Sequence, residues 1–245
     1  MLKSINSNKI RTLGVFFTLL FSVSSCILFE NCLQGEGKTV EKELQLKPFH
    51  SIELSTSAEV FLKKGAKQKV MIVAQENLIP LFETSVEDGV WEIQTSRCIK
   101  DSQPIKLYLQ LPEIKMVEIK GSGGVSSENL FTANEINLNI EGSGDISLNL
   151  DAKEINSRIS GSGEINLQGK AKSHFVKING SGDLNASKLE TDVTEIDING
   201  SGDAFIDVSY ELDVEVNGSG DVNYSGSVKK LNSDIKGSGR LNQMN

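Results

Sequence analysis

The sequence predicts an all-β protein: a parallel β-helix, or β-solenoid, behind an N-terminal β-rich capping domain. Three observations carry this expectation. Gly-Ser-Gly occurs seven times, with its first glycine at positions 121, 142, 161, 180, 200, 218 and 237, and recurrences of 18 to 21 residues mark stacked repeats. An aliphatic residue stands two places before each of these glycines (Ile119, Ile140, Ile159, Ile178, Ile198, Val216, Ile235). Others stand four places after it (Val125, Ile146, Ile165, Leu184, Ala204, Val222, Leu241), which makes the hydrophobic period two rather than 3.6. Composition also shifts near residue 115: all four prolines lie before it, and 17 of the 22 glycines lie after it.

Residues 1–25 read as a bacterial export signal. Lys3, Lys9 and Arg11 open it, an apolar core runs from Leu13 to Val23, and no acid precedes Glu30. The stretch Val23-Ser24-Ser25-Cys26 has the form of a lipobox, which implies cleavage before Cys26 and lipid on its sulfur; an ordinary secretory signal is the alternative. Loss of the signal takes three of the 25 Lys+Arg, leaving 22 against 33 Asp+Glu, a net charge of −11. Such a surface repels nucleic acid and anionic headgroups, so membrane contact is expected through the lipid on Cys26. Cys32 and Cys98 then remain, and in an exported chain they are a candidate disulfide that two cysteines alone leave open. No CxxC motif or Cys/His cluster suggests zinc, and no cofactor is expected.

Residues 26–39 form a tether, and residues 40–115 form the β-rich domain. Within it VEKELQL, SIEL, EVFLKK, KVMIVA, VWEIQT and IKLYLQL alternate as strands do. Asp88-Gly89 signals a tight turn, and QENLIPLF has room for one helical turn. Residues 116–245 are the GSG repeats. One unit shows a single narrow apolar face and cannot bury it alone; stacking the units about 4.8 Å apart turns the aliphatic sites into ladders with a shared core.

The paired glycines are read as structural turns: Gly121 with Gly123, Gly142 with Gly144, Gly161 with Gly163, Gly180 with Gly182, Gly200 with Gly202, Gly218 with Gly220, and Gly237 with Gly239. Glycine reaches positive φ, and without a side chain one corner can sit directly on another. The serines between them would form a hydroxyl ladder, and Asn179, Asn199 and Asn217 an amide ladder. Competing readings are weaker. Asp145, Glu164, Asp183, Asp203 and Asp221 trail the triplets and are candidate calcium ligands, but calcium solenoids use a nine-residue repeat, and this ladder begins with Gly124 and ends with Arg240. A phosphate loop would have to open a helix, and every triplet runs into a strand. A carbohydrate-active β-helix enzyme needs a local departure from the repeat. The outward acids Asp197, Glu215 and Asp234, below Arg158 and Lys177, occupy equivalent positions, and His174 stands where Ile136, Ile155 and Leu231 stand elsewhere. No catalytic set is expected.

The lipobox, the segments FHSIELSTSAEVFLKKG and VMIVAQENLIPLFETSVEDGVWEI, and the run of GSGD units resemble the auto-transporter adhesin, head GIN domain family over about residues 36–245. The resemblance implies a right-handed β-helix with GSG at the tight turns, a role in adhesion and an assembly of several copies. A non-catalytic, lipid-anchored envelope module is therefore expected, with a glycan or a host or cell-surface protein as partner. A purely structural envelope component is the other reading.

Overall fold

The computed structural model describes residues 32–100 and 103–244; the expected export signal and Cys26 lie outside them. The period-two segments are strands, and the single turn of helix at Ile79–Leu81 is 3-10. The N-terminal strands are β1 (Leu33–Gln34), β2 (Thr39–Leu44), β3 (Ser51–Leu54), β4 (Glu59–Lys64), β5 (Lys69–Gln75), β6 (Val86–Glu87), β7 (Val90–Ile93), β8 (Ile99–Lys100) and β9 (Lys106–Leu111). The repeats supply β10 (Met116–Ile119), β11 (Gly124–Ser127), β12 (Phe131–Gly142), β13 (Asp145–Gly161), β14 (Glu164–Gly180) and β15 (Asp183–Gly200). They end with β16 (Ala204–Gly218), β17 (Val222–Ser225), β18 (Lys230–Gly237) and β19 (Leu241–Gln243).

Each of β13 to β16 is one long bent strand, broken from the next only at the triplet. Neighbouring coils pair in parallel and in register, so that Ile140, Ile159, Ile178, Ile198, Val216 and Ile235 form one ladder. All of these are buried except Ile235, on the last rung. Burial of one such side chain stabilises by about 1.5–3 kcal/mol, and a coil gains most of it only when it has neighbours on both sides.

Each of β12 to β16 also has a second corner at which no glycine stands, and the chain after β17 turns towards the same corner through Gly226 (φ +95°). In β13 the buried positions are Ile146, Leu148, Leu150 and Ala152, and then Ile155, Ser157 and Ile159; the alternation slips at Lys153-Glu154. Equivalent slips fall at Asn134-Glu135 and Lys172-Ser173, eight and seven places before the next triplet. Two successive outward residues turn the strand from one sheet to the next without a left-handed residue.

The parallel stack continues into the N-terminal part. β3 pairs with β10 in register (Ile52 with Val117, Leu54 with Ile119), and β4 pairs with β11 (Val60 with Val125). Ser55-Thr56-Ser57-Ala58 therefore rounds the corner that Lys120-Gly121-Ser122-Gly123 rounds one rung on. β7 and β9 pair with β3 and β4 in turn, so spatial order departs from chain order. Antiparallel strands close this end: β5 lies on β9, and β2 lies on β5 with Glu41, Lys42 and Glu43 exposed. Charge on an outermost strand discourages further pairing. The β6–β7 hairpin turns at Asp88 and Gly89, both at positive φ (48° and 74°), as a two-residue turn requires. Trp91 is fully buried beneath it and donates from Nε1 to the Glu83 carbonyl at 3.0 Å. Cys32 and Cys98 form a disulfide (S–S 2.06 Å) beside the parallel pair β1–β8, which fastens residues 32–34 of the segment read as tether.

Candidate functional site

The triplets were the first candidates for chemistry, and their geometry is architectural. In all six triplets from 142 onward the serine N–H donates to the carbonyl of the first glycine one coil back, at 2.8–3.1 Å. The two glycines are required for different reasons. Gly200 has φ +147°, and a Cβ there would lie 2.0 Å from the Gly180 carbonyl oxygen. At Gly202 the φ is not left-handed, but a Cβ would lie 2.0 Å from the Gly182 oxygen and 3.0 Å from Ile178. The other second glycines repeat this crowding. A Cβ at Gly144, Gly220 or Gly239 would lie 2.5, 2.1 or 2.3 Å from the carbonyl oxygen of Gly123, Gly202 or Gly220 respectively, again without a left-handed φ. From Gly142 onward the first glycine serves conformation and stacking together, and the second serves stacking alone.

The trailing acids also serve the stack. Asp183 Oδ1 accepts the Asp203 N–H (2.8 Å), Asp203 Oδ1 that of Asp221 (2.7 Å), and Asp221 Oδ1 that of Arg240 (2.9 Å); Asp145 does the same for Glu164 (3.1 Å). Where Gly124 and Glu164 stand instead, the next N–H turns to a glycine carbonyl (Asp145 to Gly123, Asp183 to Gly163). Among the described residues no group of three or more His, Cys, Asp or Glu is placed to hold a metal. Asp203→Ala is expected to cost about 1–2 kcal/mol through the orphaned Asp221 N–H, and Asp203→Asn, which keeps an acceptor, less. EDTA is expected to leave Tm unchanged; a chelator-induced drop would restore calcium to this ladder.

The expected amide ladder takes another form. Asn199 and Asn217 donate to the acid two places earlier on their own strands, Asp197 (2.6 Å) and Glu215 (3.2 Å). An amide bond between rungs joins Asn242 to Asn223 (3.1 Å). His174 lies in the buried ladder between Ile155 and Thr194, 1% exposed, with Nε2 2.9 Å from Ser157 Oγ. Burial lowers its pKa from 6.5 to about 3, so it is a neutral core residue near neutral pH.

Two outward regions depart from a flat polar wall. Along the second corner runs a groove of about 650 Å³, with Ala133, Ala152, Ala171 and Thr191 in register along it. Lys170 reaches Glu190 across it at 3.0 Å, and that hydrogen bond raises the Lys170 pKa. On the strand leading into the triplets lies a depression of about 510 Å³, lined by Arg158, Phe175, Lys177, the asparagines 137, 139 and 156 and the acids Glu118, Glu195 and Asp197. Phe175 is 37% exposed, and Asn139 keeps Oδ1 buried without a hydrogen-bond partner. Sequence reading placed Arg158 and Lys177 above a row of acids. Stacking shows them to be direct neighbours, with Phe175 on the diagonal rung. The signal available was that Phe175 is the only aromatic in its ladder, where Asn137, Asn156 and Glu195 stand on adjoining rungs.

This fold, with many of its polar residues turned to its own rungs, defines a β-solenoid module. The model of the family described as "Putative auto-transporter adhesin, head GIN domain" (DUF2807) matches residues 48–228, and the chain belongs to that family. Solved structures share the fold at low identity. A putative adhesin from Bacteroides fragilis aligns with TM-score 0.81 and 23% identity, over 86% of this chain and 100% of its own. A putative lipid binding protein from Parabacteroides distasonis aligns with TM-score 0.72 and 22% identity, over 87% and 99%. A putative adhesin from Parabacteroides merdae gives 0.69 and 19%, over the same shares. No protein of curated function matches significantly.

Proposed function

We propose that the chain is a lipid-anchored protein of the outer-membrane cell envelope whose solenoid is a non-catalytic binding or adhesion module. The observation that carries this reading is the stack itself: long ladders face outward, while the serine N–H of each triplet from 142 onward and the carboxylates of Asp145, Asp183, Asp203 and Asp221 bond to the neighbouring rung. A stack so built presents a repeating surface along its length. The net charge, −8 for the whole chain and −11 once the expected signal is removed, turns it away from nucleic acid and leaves a glycan or a cell-surface protein as the partner.

Protease treatment of intact cells tests the location, with degradation of the solenoid as the expected result; complete protection would sink surface adhesion. The Cys26→Ala chain is expected to leave the membrane fraction, and its retention there would refute the anchor.

A further inference from the structure

We propose that the depression around Arg158 and Phe175 binds a carboxylate-bearing sugar, such as a uronic acid unit of a glycan. The inference rests on the binding-module reading and gives that module a ligand. The rungs on either side of Arg158 carry Asn139 and Lys177, so no acid stands directly opposite it. Lys177 is held by Asp197, and Asn139 donates to Glu118 at 3.1 Å. Among the described residues Arg158 has no ion pair or hydrogen bond through its side chain, and it is exposed. An unpaired guanidinium fork in an acidic chain matches one carboxylate bidentately.

The surroundings select the rest of the ligand. Phe175, opposite Asn156 and two residues before Lys177, offers an apolar ring to the C–H face of a pyranose. Asn137 and Asn156 each donate to an acid on their own strand (Glu135 at 3.2 Å, Glu154 at 3.1 Å), which leaves their carbonyl oxygens to accept hydroxyls. A peptide adding as a strand finds no site here, because β13 and β14 are paired with a neighbouring rung on both sides. A polyphosphate would need several free cations, and the site has one.

The test is calorimetric titration of the full-length chain in detergent with methyl galacturonoside, which carries one carboxylate, and with its methyl ester. The acid is expected to bind, and the ester about 10- to 100-fold more weakly. Arg158→Ala should lose that same factor for the acid and leave the ester unchanged. Phe175→Ala should weaken both, and Lys172→Ala, in the second-corner groove, neither; an unchanged melt of Arg158→Ala verifies the fold. Acid and ester bound alike, or an Arg158→Ala chain that binds the acid as before, overturns the assignment. So does a change in sedimentation alone, which would make this face a contact between copies. A parallel screen of neutral glycans and matrix proteins separates the two readings. A ligand indifferent to Arg158→Ala rejects this site and keeps the module, whereas no ligand at all rejects both.

Discussion

Gly200→Ala is expected to destabilise the solenoid by more than about 4 kcal/mol, the range in which a buried clash and backbone strain act together. The new methyl carbon would lie 2.0 Å from the Gly180 carbonyl oxygen, and that oxygen accepts the Ser201 N–H at 2.8 Å. Relief would require two coils to move apart, with the loss of ladder bonds along both. Three companion variants separate the causes. Gly202→Ala meets the Gly182 oxygen at 2.0 Å without a left-handed φ, so it reports stacking alone. Gly37→Ala has φ +82° and open space, so it reports conformational strain alone, about 1–2 kcal/mol. Gly124→Ala has its nearest contact at 3.9 Å and should be almost silent. Urea melts should rank the losses Gly200, Gly202, Gly37, Gly124. A Gly200→Ala chain as stable as Gly124→Ala would contradict the stacking account.

Acid is expected to destabilise the parent through His174 by about 3 kcal/mol between pH 7 and pH 4. The sign follows from burial. The folded-state pKa is lowered to about 3, so between pH 6.5 and 3 the unfolded chain takes up the proton first. Stability is full above the unfolded value and falls as pH drops towards the folded one. His174→Ile, which copies Ile155 on the rung before, removes this dependence. It also leaves the Ser157 hydroxyl without its partner, a cost that does not vary with pH. Carboxylate titrations are common to both proteins and cancel in the difference, so the variant should show the flatter profile. Parallel profiles for parent and variant would clear His174 of the effect.

Much of the fold is legible in the sequence because its rules are local. Period-two alternation assigned the ladder from Ile119 to Ile235 to the inside, and the recurrence of Gly-Ser-Gly set one coil on the next. The Asp88-Gly89 turn was equally plain, since two adjacent residues at positive φ carry their own signature. The second corner was not legible. Lys153-Glu154 is an ordinary pair of polar residues until the burial on either side shows that the alternation slips there. The glycine-free rung was hidden too: Ile52, Leu54, Val60 and Leu62 carry the pattern of a repeat, but Ser55–Ala58 rounds its corner without glycine.

By itself the sequence determined that this chain is a stack of β coils, which residues its core contains and where its sharp corners fall. These follow from alternation along one strand and from the steric freedom of glycine. Only the tertiary structure decided that Asp203 caps the Asp221 N–H and that residues 51–64 lie between later rungs. Parallel stacking is the reason. It places side by side residues about twenty apart in the chain, and which of them meet depends on coil lengths that run from 18 to 21 residues.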